Sequence, residues 1–199
     1  MPAIAAINGK IGPNAITRVI EALRALESPT AVDRIFQACE LQGYLCDAPA
    51  DMVDEREVTR LHDVLHRELG TARARGVGRI AGQLTADYLL GFRIPRLAQM
   101  ALRCCPAGVS SRLLAKAIAR NSWTFAGTGT FSVRHGRPAT FEVKDCPICR
   151  GRRSSEPCCD FYAATFERLY RRLVDQRARV IEVGCQAKGA SACTFEMTW

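Results

Sequence analysis

Apolar residues recur at helical spacing through the first 120 residues. Ile16, Val19, Ile20, Leu23 and Leu26 follow Gly12-Pro13 at intervals of three and four, which predicts a helix with proline in its opening turn. Ser28-Pro29-Thr30 breaks it, and Val32, Ile35, Phe36 and Cys39 predict a second helix reaching toward Gly43. A polar loop over 47–54 leads to a stripe of Val58, Leu61, Leu65 and Leu69 that stops at Gly70. A fourth helix is predicted over about 77–90, and Pro95 and Pro106 punctuate two shorter ones, the second over 110–120.

After residue 120 the period shortens to two. Trp123, Phe125, Gly127, Gly129, Phe131 and Val133 alternate toward a turn at 134–138, and 140–144 returns, a hairpin pattern. A loop rich in Cys, Arg, Gly and Ser covers 145–156. An amphipathic helix over 157–174 turns Phe161, Ala164, Leu169 and Leu173 toward a core, and two strands close the chain. The expected fold is α+β: amino-terminal helices (1–120) packed with a ββαββ antiparallel-sheet unit (121–199), together one compact unit.

Composition narrows the setting. With 199 residues and 48% apolar content, the chain suits an ordinary domain with a sizeable core. No apolar run approaches the ~20 residues that span a bilayer. The opening Met1-Pro-Ala-Ile-Ala-Ala-Ile7 is short and lacks a basic leader, so it does not read as a signal peptide. A cytoplasmic protein is expected, in which ten cysteines are reduced thiols and metal ligands before they are disulfides. Net charge is +8, with arginine patches at 73–75, 150–153 and 168–179. A solvated basic face, an anionic small ligand or acidic partner protein, and nucleic acid compete to explain it. Nucleic acid ranks last, because no helix-turn-helix, RNP or zinc-finger spacing accompanies the charge.

The candidate chemistry lies in the last third. Cys159 opens the amphipathic helix, where unpaired backbone N–H groups favour a thiolate. Cys185 ends one strand and Cys193 begins the next, so a hairpin would bring their sulfurs together. Thiolates in such a group suit zinc, which prefers four tetrahedral ligands. Cys146 is the first choice for the fourth. Cys149 has the two-residue gap of a zinc knuckle, Glu142, Asp145 and Glu182 are carboxylate options, and Cys158 is expected to point elsewhere on the helix. The alternative is that these thiols are small buried hydrophobes. A mostly thiolate site would be closed and structural, with no catalytic residue assigned to it. Cys39, Cys46, Cys104 and Cys105 read as packing and capping residues.

The runs Glu156-Pro-Cys-Cys-Asp-Phe-Tyr-Ala-Ala-Thr-Phe-Glu167, Ile181-Glu-Val-Gly-Cys185 and Gly189-Ala-Ser-Ala-Cys193-Thr-Phe195 resemble the 4-vinyl-reductase domain family. The resemblance covers roughly the last 80 residues. It implies zinc on the equivalent cysteines, as in phenol-sensing members, where one ligand is a glutamate. It also implies a fold similar to trafficking-complex subunits that dimerise through helices, and hence a homodimer. The amino-terminal run Gly9-Lys-Ile-Gly-Pro-Asn-Ala-Ile-Thr-Arg18 is similar to proteins of bacteriochlorophyll biosynthesis.

The resemblance implies reduction of a vinyl group on a chlorophyll precursor. Gly76-Val-Gly78-Arg-Ile-Ala-Gly82 follows no strand, so it reads as helix packing and not as a dinucleotide fingerprint. No flavin motif or iron–sulfur spacing accompanies it. The preferred expectation is therefore an accessory protein that binds a porphyrin or Mg-porphyrin and presents it to other enzymes of the pathway. A reductase fed by an external reductant, or a sensing or scaffold domain, are the alternatives. Trp123, Phe125, Phe131, Tyr88 and Phe92 are candidate liners of an apolar cleft between helices and sheet, though each could be plain core. His62 and His66, four apart on one helix face, could supply an axial ligand to magnesium or lie on the surface.

Overall fold

In a computed structural model, residues 9–199 are described; the reading of the first seven residues lies outside them. The helices begin where local chemistry dictates. After a short strand, β1 (Lys10–Ile11), helix α1 (Asn14–Leu26) starts behind Pro13 and buries Ile16, Val19, Ile20 and Leu23. Leu26 departs from that stripe and stays half exposed. Helix α2 (Pro29–Ala38) is capped by Ser28, whose hydroxyl accepts the Ala31 N–H. The short α3 (Gly43–Cys46) and β2 (Val53–Asp54) follow, and β1 and β2 pair antiparallel.

Helix α4 (Glu55–Tyr88) is the spine. Its Asp54 cap accepts the Arg56 N–H, and it runs on past Gly70, where φ is 74° and ψ 164°. Only glycine adopts that conformation readily, so the helix breaks there, as the sequence predicts, and then resumes at once. A π-helical turn over Leu89–Arg93 leads to α5 (Arg96–Cys104) and α6 (Ala107–Arg120), each starting directly after a proline. The stretch expected to open the first strand instead forms a helical turn, α7 (Trp123–Ala126), and β3 begins at Thr130 (Thr130–Arg134). The alternation of aromatic and small residues at 123–129 was too short to specify a strand, and Phe125 packs on Phe131 and Tyr162 from the turn.

Strand β4 (Ala139–Lys144), helix α8 (Asp160–Leu173), β5 (Arg179–Gly184) and β6 (Cys193–Thr198) complete the fold. The four-stranded sheet has the order β3-β4-β6-β5 and is antiparallel throughout. Two hairpins flank one helix, as the sequence implies. The most extensive helix contact is α4 on α8. Gly82 sits at the crossing, where a Cβ would land on the Phe161 carbonyl. Glycine is required there because the backbones touch, which confirms the packing reading of the 76–82 run. Between α8 and the sheet, Phe141, Phe166, Phe195 and Tyr170 are buried, with Phe141 edge-on to Phe166 at 5.0 Å. Each such ring contributes about 1.5–3 kcal/mol by burial.

Candidate metal centre and ligand-facing surface

Five segments meet at one end of the sheet: the end of β4, the loop after it, the start of α8, the end of β5 and the start of β6. Register puts them there. Val143 on β4 pairs with Cys193 on β6, and β5 carries a bulge between Glu182 and Gly184 just before Cys185. Cys159 is the N-cap of α8. The Gln186 N–H donates to the Cys193 sulfur at 3.4 Å, and the Gln186 side-chain oxygen accepts the Cys146 N–H at 2.8 Å.

The result is a cluster of six buried free thiols: Cys146, Cys149, Cys158, Cys159, Cys185 and Cys193. Sulfur–sulfur separations are 3.7 Å for Cys146–Cys159, 3.4 Å for Cys149–Cys193, 3.6 Å for Cys159–Cys193 and 3.9 Å for Cys158–Cys185. These are far beyond a disulfide bond of about 2.05 Å. Three groups of ligand atoms lie within 4.8 Å of one another: Cys146, Cys149, Cys159 and Cys193; Cys149, Cys158, Cys159 and Cys185; and Cys159, Glu182, Cys185 and Cys193. The four cysteines expected from sequence are all present, but no single group contains them together. Cys158 corrects the expectation that it faces away: α8 begins at Asp160, so Cys158 precedes the helix and its sulfur is free to turn inward.

Of the three carboxylate options, Glu182 is the one in the cluster. Its Oε2 accepts the Cys159 N–H at 2.8 Å, while its buried Oε1 has no partner. Burial, then the neighbouring Cys185 charge, pushes its carboxyl up to about 9. The Cys159 thiol is held well above the usual range by sulfur contacts, first with Cys146 and then Cys149, and by burial. Soft donors around one orphaned carboxylate oxygen are the environment a divalent cation completes, and zinc fits that donor set.

The cysteine-rich loop is tied to the spine. Thr59 on α4 donates to the Pro147 carbonyl at 2.7 Å, and Arg150 reaches Glu55 at 2.7 Å. Glu55 is buried and also accepts the Thr128 N–H and hydroxyl. Burial alone would raise its carboxyl; the Thr128 and Arg150 interactions outweigh that and hold it below the usual range.

The expected ligand-lining residues separate into groups. Phe125 and Phe131 meet edge-on at 5.2 Å and pack with Phe141, Tyr162 and Phe166, filling the space between helices and sheet. Tyr88 and Phe92 pair at 5.3 Å elsewhere, with Phe92 78% exposed and the Arg18 guanidinium 5.0 Å from the Tyr88 ring. Trp123 is partly exposed. His62 is buried edge-on to Phe161, and burial, then Arg152 and His66, push it down to about 3. His66 is half-buried and pushed down to about 4, by burial first and then Arg152.

The positive charge also sits elsewhere than expected. Arg75 and Arg79 pair with Asp160, Arg150 with Glu55, Arg152 with Asp63, Arg168 with Asp87 and Arg177 with Asp175. Residues 88–141, by contrast, hold eight of the 28 Lys and Arg and no Asp or Glu, so the remaining 20 basic residues balance all 20 acidic ones. All eight are exposed: Arg93, Arg96, Arg103, Arg112, Lys116, Arg120, Arg134 and Arg137. Arg134 reaches an acid just past the segment, Glu142 at 3.3 Å. A count of acidic residues along the chain would have found this segment. Exposed apolar residues concentrate in it too, among them Leu97 at 78%, Met100 at 59% and Leu113 at 50%. A cavity of about 300 Å³ opens there among Ser111, Arg112, His135, Arg137 and Trp199, and the buried Trp199 Nε1–H has no partner.

Comparison with known proteins places this architecture. The 4-vinyl-reductase domain family matches residues 139–198, the segment that carries the cysteine cluster. A protein named bacteriochlorophyll synthase 23 kDa chain from Cereibacter sphaeroides is 45% identical, covering 96% of this chain and 92% of its own. Its namesake from Rhodobacter capsulatus is 36% identical over 94% of this chain and 85% of its own. The fold is that of a solved Fe(II) unliganded H-NOX protein mutant from K. algicida, with a TM-score of 0.60 at 12% identity, covering 94% of this chain and 96% of that one. No helix among the described residues is long and apolar enough to cross a membrane. Similarity at that level, over nearly the full length of both chains, means that this chain belongs to the family of the bacteriochlorophyll synthase 23 kDa chain and is built around a 4-vinyl-reductase domain.

Proposed function

We propose that this chain is an accessory subunit of bacteriochlorophyll synthesis that binds an anionic tetrapyrrole and presents it to partner enzymes. One observation carries the reading: the net positive charge of the chain coincides with the exposed apolar residues of 88–141. A porphyrin is a flat apolar ring bearing carboxylates, and it needs an apolar wall beside cations. Tyr88, Phe92, Leu97 and Met100 supply the wall, and Arg93, Arg96 and Arg103 the cations. The Arg112–Arg137 cavity is small for a macrocycle but suits a carboxylate, which would accept the free Trp199 Nε1–H. The relatives' name supplies the pathway. Zinc in the cysteine cluster is the structural half of the same reading, supported by the donor set and the unpartnered Glu182 oxygen.

Titrating the full chain with protoporphyrin IX or its magnesium form tests the ligand. A shifted Soret band is expected, with affinity falling modestly as salt rises. The double variant Phe92→Ala/Leu97→Ala should weaken binding at least tenfold. An unshifted Soret band, or a double variant that binds like the parent, would overturn the proposal.

A further inference from the structure

We infer that the cysteine cluster holds two zinc ions, not one, with Cys149 and Cys159 each bridging both. The inference rests on the zinc reading above and goes beyond its single ion. Two of the three ligand groups are made wholly of sulfur, and they share Cys149 and Cys159. Two tetrahedral ions have eight coordination positions. Six thiolates fill them when two of the six are shared. Cys146 and Cys193 then complete one ion, and Cys158 and Cys185 the other.

The spacing agrees. With Zn–S near 2.3 Å, neighbouring sulfurs of a tetrahedral site lie about 3.8 Å apart. The four closest sulfur pairs in the cluster run from 3.4 to 3.9 Å, and they fall in both groups. Charge also favours the pair of ions. One ion in four thiolates leaves a buried charge of −2. A second ion adds +2 and takes two more thiolates, so the buried charge does not grow. A single ion held by Cys159, Glu182, Cys185 and Cys193 would instead leave Cys146, Cys149 and Cys158 as three unused buried thiols pressed against it. In the two-ion arrangement Glu182 is not a required ligand; it keeps the Cys159 N–H hydrogen bond. Loading both ions from the fully protonated cluster releases six protons, one per thiol.

Zinc content of the full chain, by native mass spectrometry and elemental analysis, decides between the arrangements. Two zinc ions per chain are expected. One ion per chain would overturn this inference and leave the single-site reading standing. No metal would overturn both, and iron with acid-labile sulfide would replace zinc altogether. Variants separate the ligand sets. Cys146→Ser and Cys158→Ser should each lower the content to one ion or fewer, and Glu182→Gln should keep two. The reverse pattern would assign the site to Glu182 and one ion. Should a cysteine variant fail to fold, cadmium-113 exchanged into the parent chain gives an independent readout. Two resonances coupled to each other through the shared sulfurs are expected. A single resonance, or two without mutual coupling, would overturn the bridging.

Discussion

The two ends of this molecule are built on opposite terms. The cysteine end is sealed: six thiols and a carboxylate from five chain segments face one another, and nearby arginines are spent on ion pairs. The face formed by 88–141 is open: its cations lie in solvent beside exposed Phe92, Leu97 and Met100, in one stretch of sequence. Long-range convergence makes a site that holds the fold together, because every donor it recruits ties down another segment. Local accumulation makes a surface that the fold does not need. Stability and recognition can therefore be altered separately.

The strongest way to break that division is Cys159→Ser, since Cys159 belongs to all three ligand groups. It should release bound metal and destabilise the chain by several kcal/mol, a melting shift well beyond about 10 °C. Cys39→Ser is the control. That thiol is buried too, but alone on α2's trailing edge, with its pKa raised to about 11 by burial. It should cost roughly 1–2 kcal/mol and leave metal content unchanged. Equal losses from both, measured by thermal melts with metal analysis, would reduce the cluster to ordinary core.

Acid sharpens the comparison. His62 titrates near 6.5 when unfolded and about 3 when buried, so between those values the unfolded chain binds the extra proton. Its contribution is therefore fully present above pH 6.5 and is lost as pH falls toward 3, at up to about 1.4 kcal/mol per pH unit. Denaturant melts of His62→Gln should show a shallower loss over that window than the parent. Identical slopes would mean that His62 is solvated. The smallest effect on stability belongs to the open face: Phe92→Ala/Leu97→Ala should shift the unfolding free energy by less than about 0.5 kcal/mol. A large drop would show that these residues pack against something in the folded chain.

Much of the fold was legible because its signals are local. The apolar stripe of α1, the proline before each of α5 and α6 and the strand-strand-helix-strand-strand order all follow from neighbouring residues. What failed was non-local. The arginines at 73–75, 150–153 and 168–179 look like a basic surface until Asp160, Glu55, Asp63 and Asp87 arrive from elsewhere to meet them. Choosing Glu182 over Glu142 and Asp145 likewise needed the β5 bulge and the hairpin register. Cys158 was misplaced by an error of a few residues in where α8 starts, enough to reverse the direction of a side chain.

The segregation of charge has a kinetic side. With eight net positive charges on one contiguous segment and the rest of the chain neutral in sum, the protein carries a permanent electric moment. In the field of any negatively charged body it rotates before it collides, so encounters begin with the 88–141 segment leading. Misoriented collisions are thereby thinned out, and the rate of arrival, more than the lifetime of the complex, is what dissolved salt will slow.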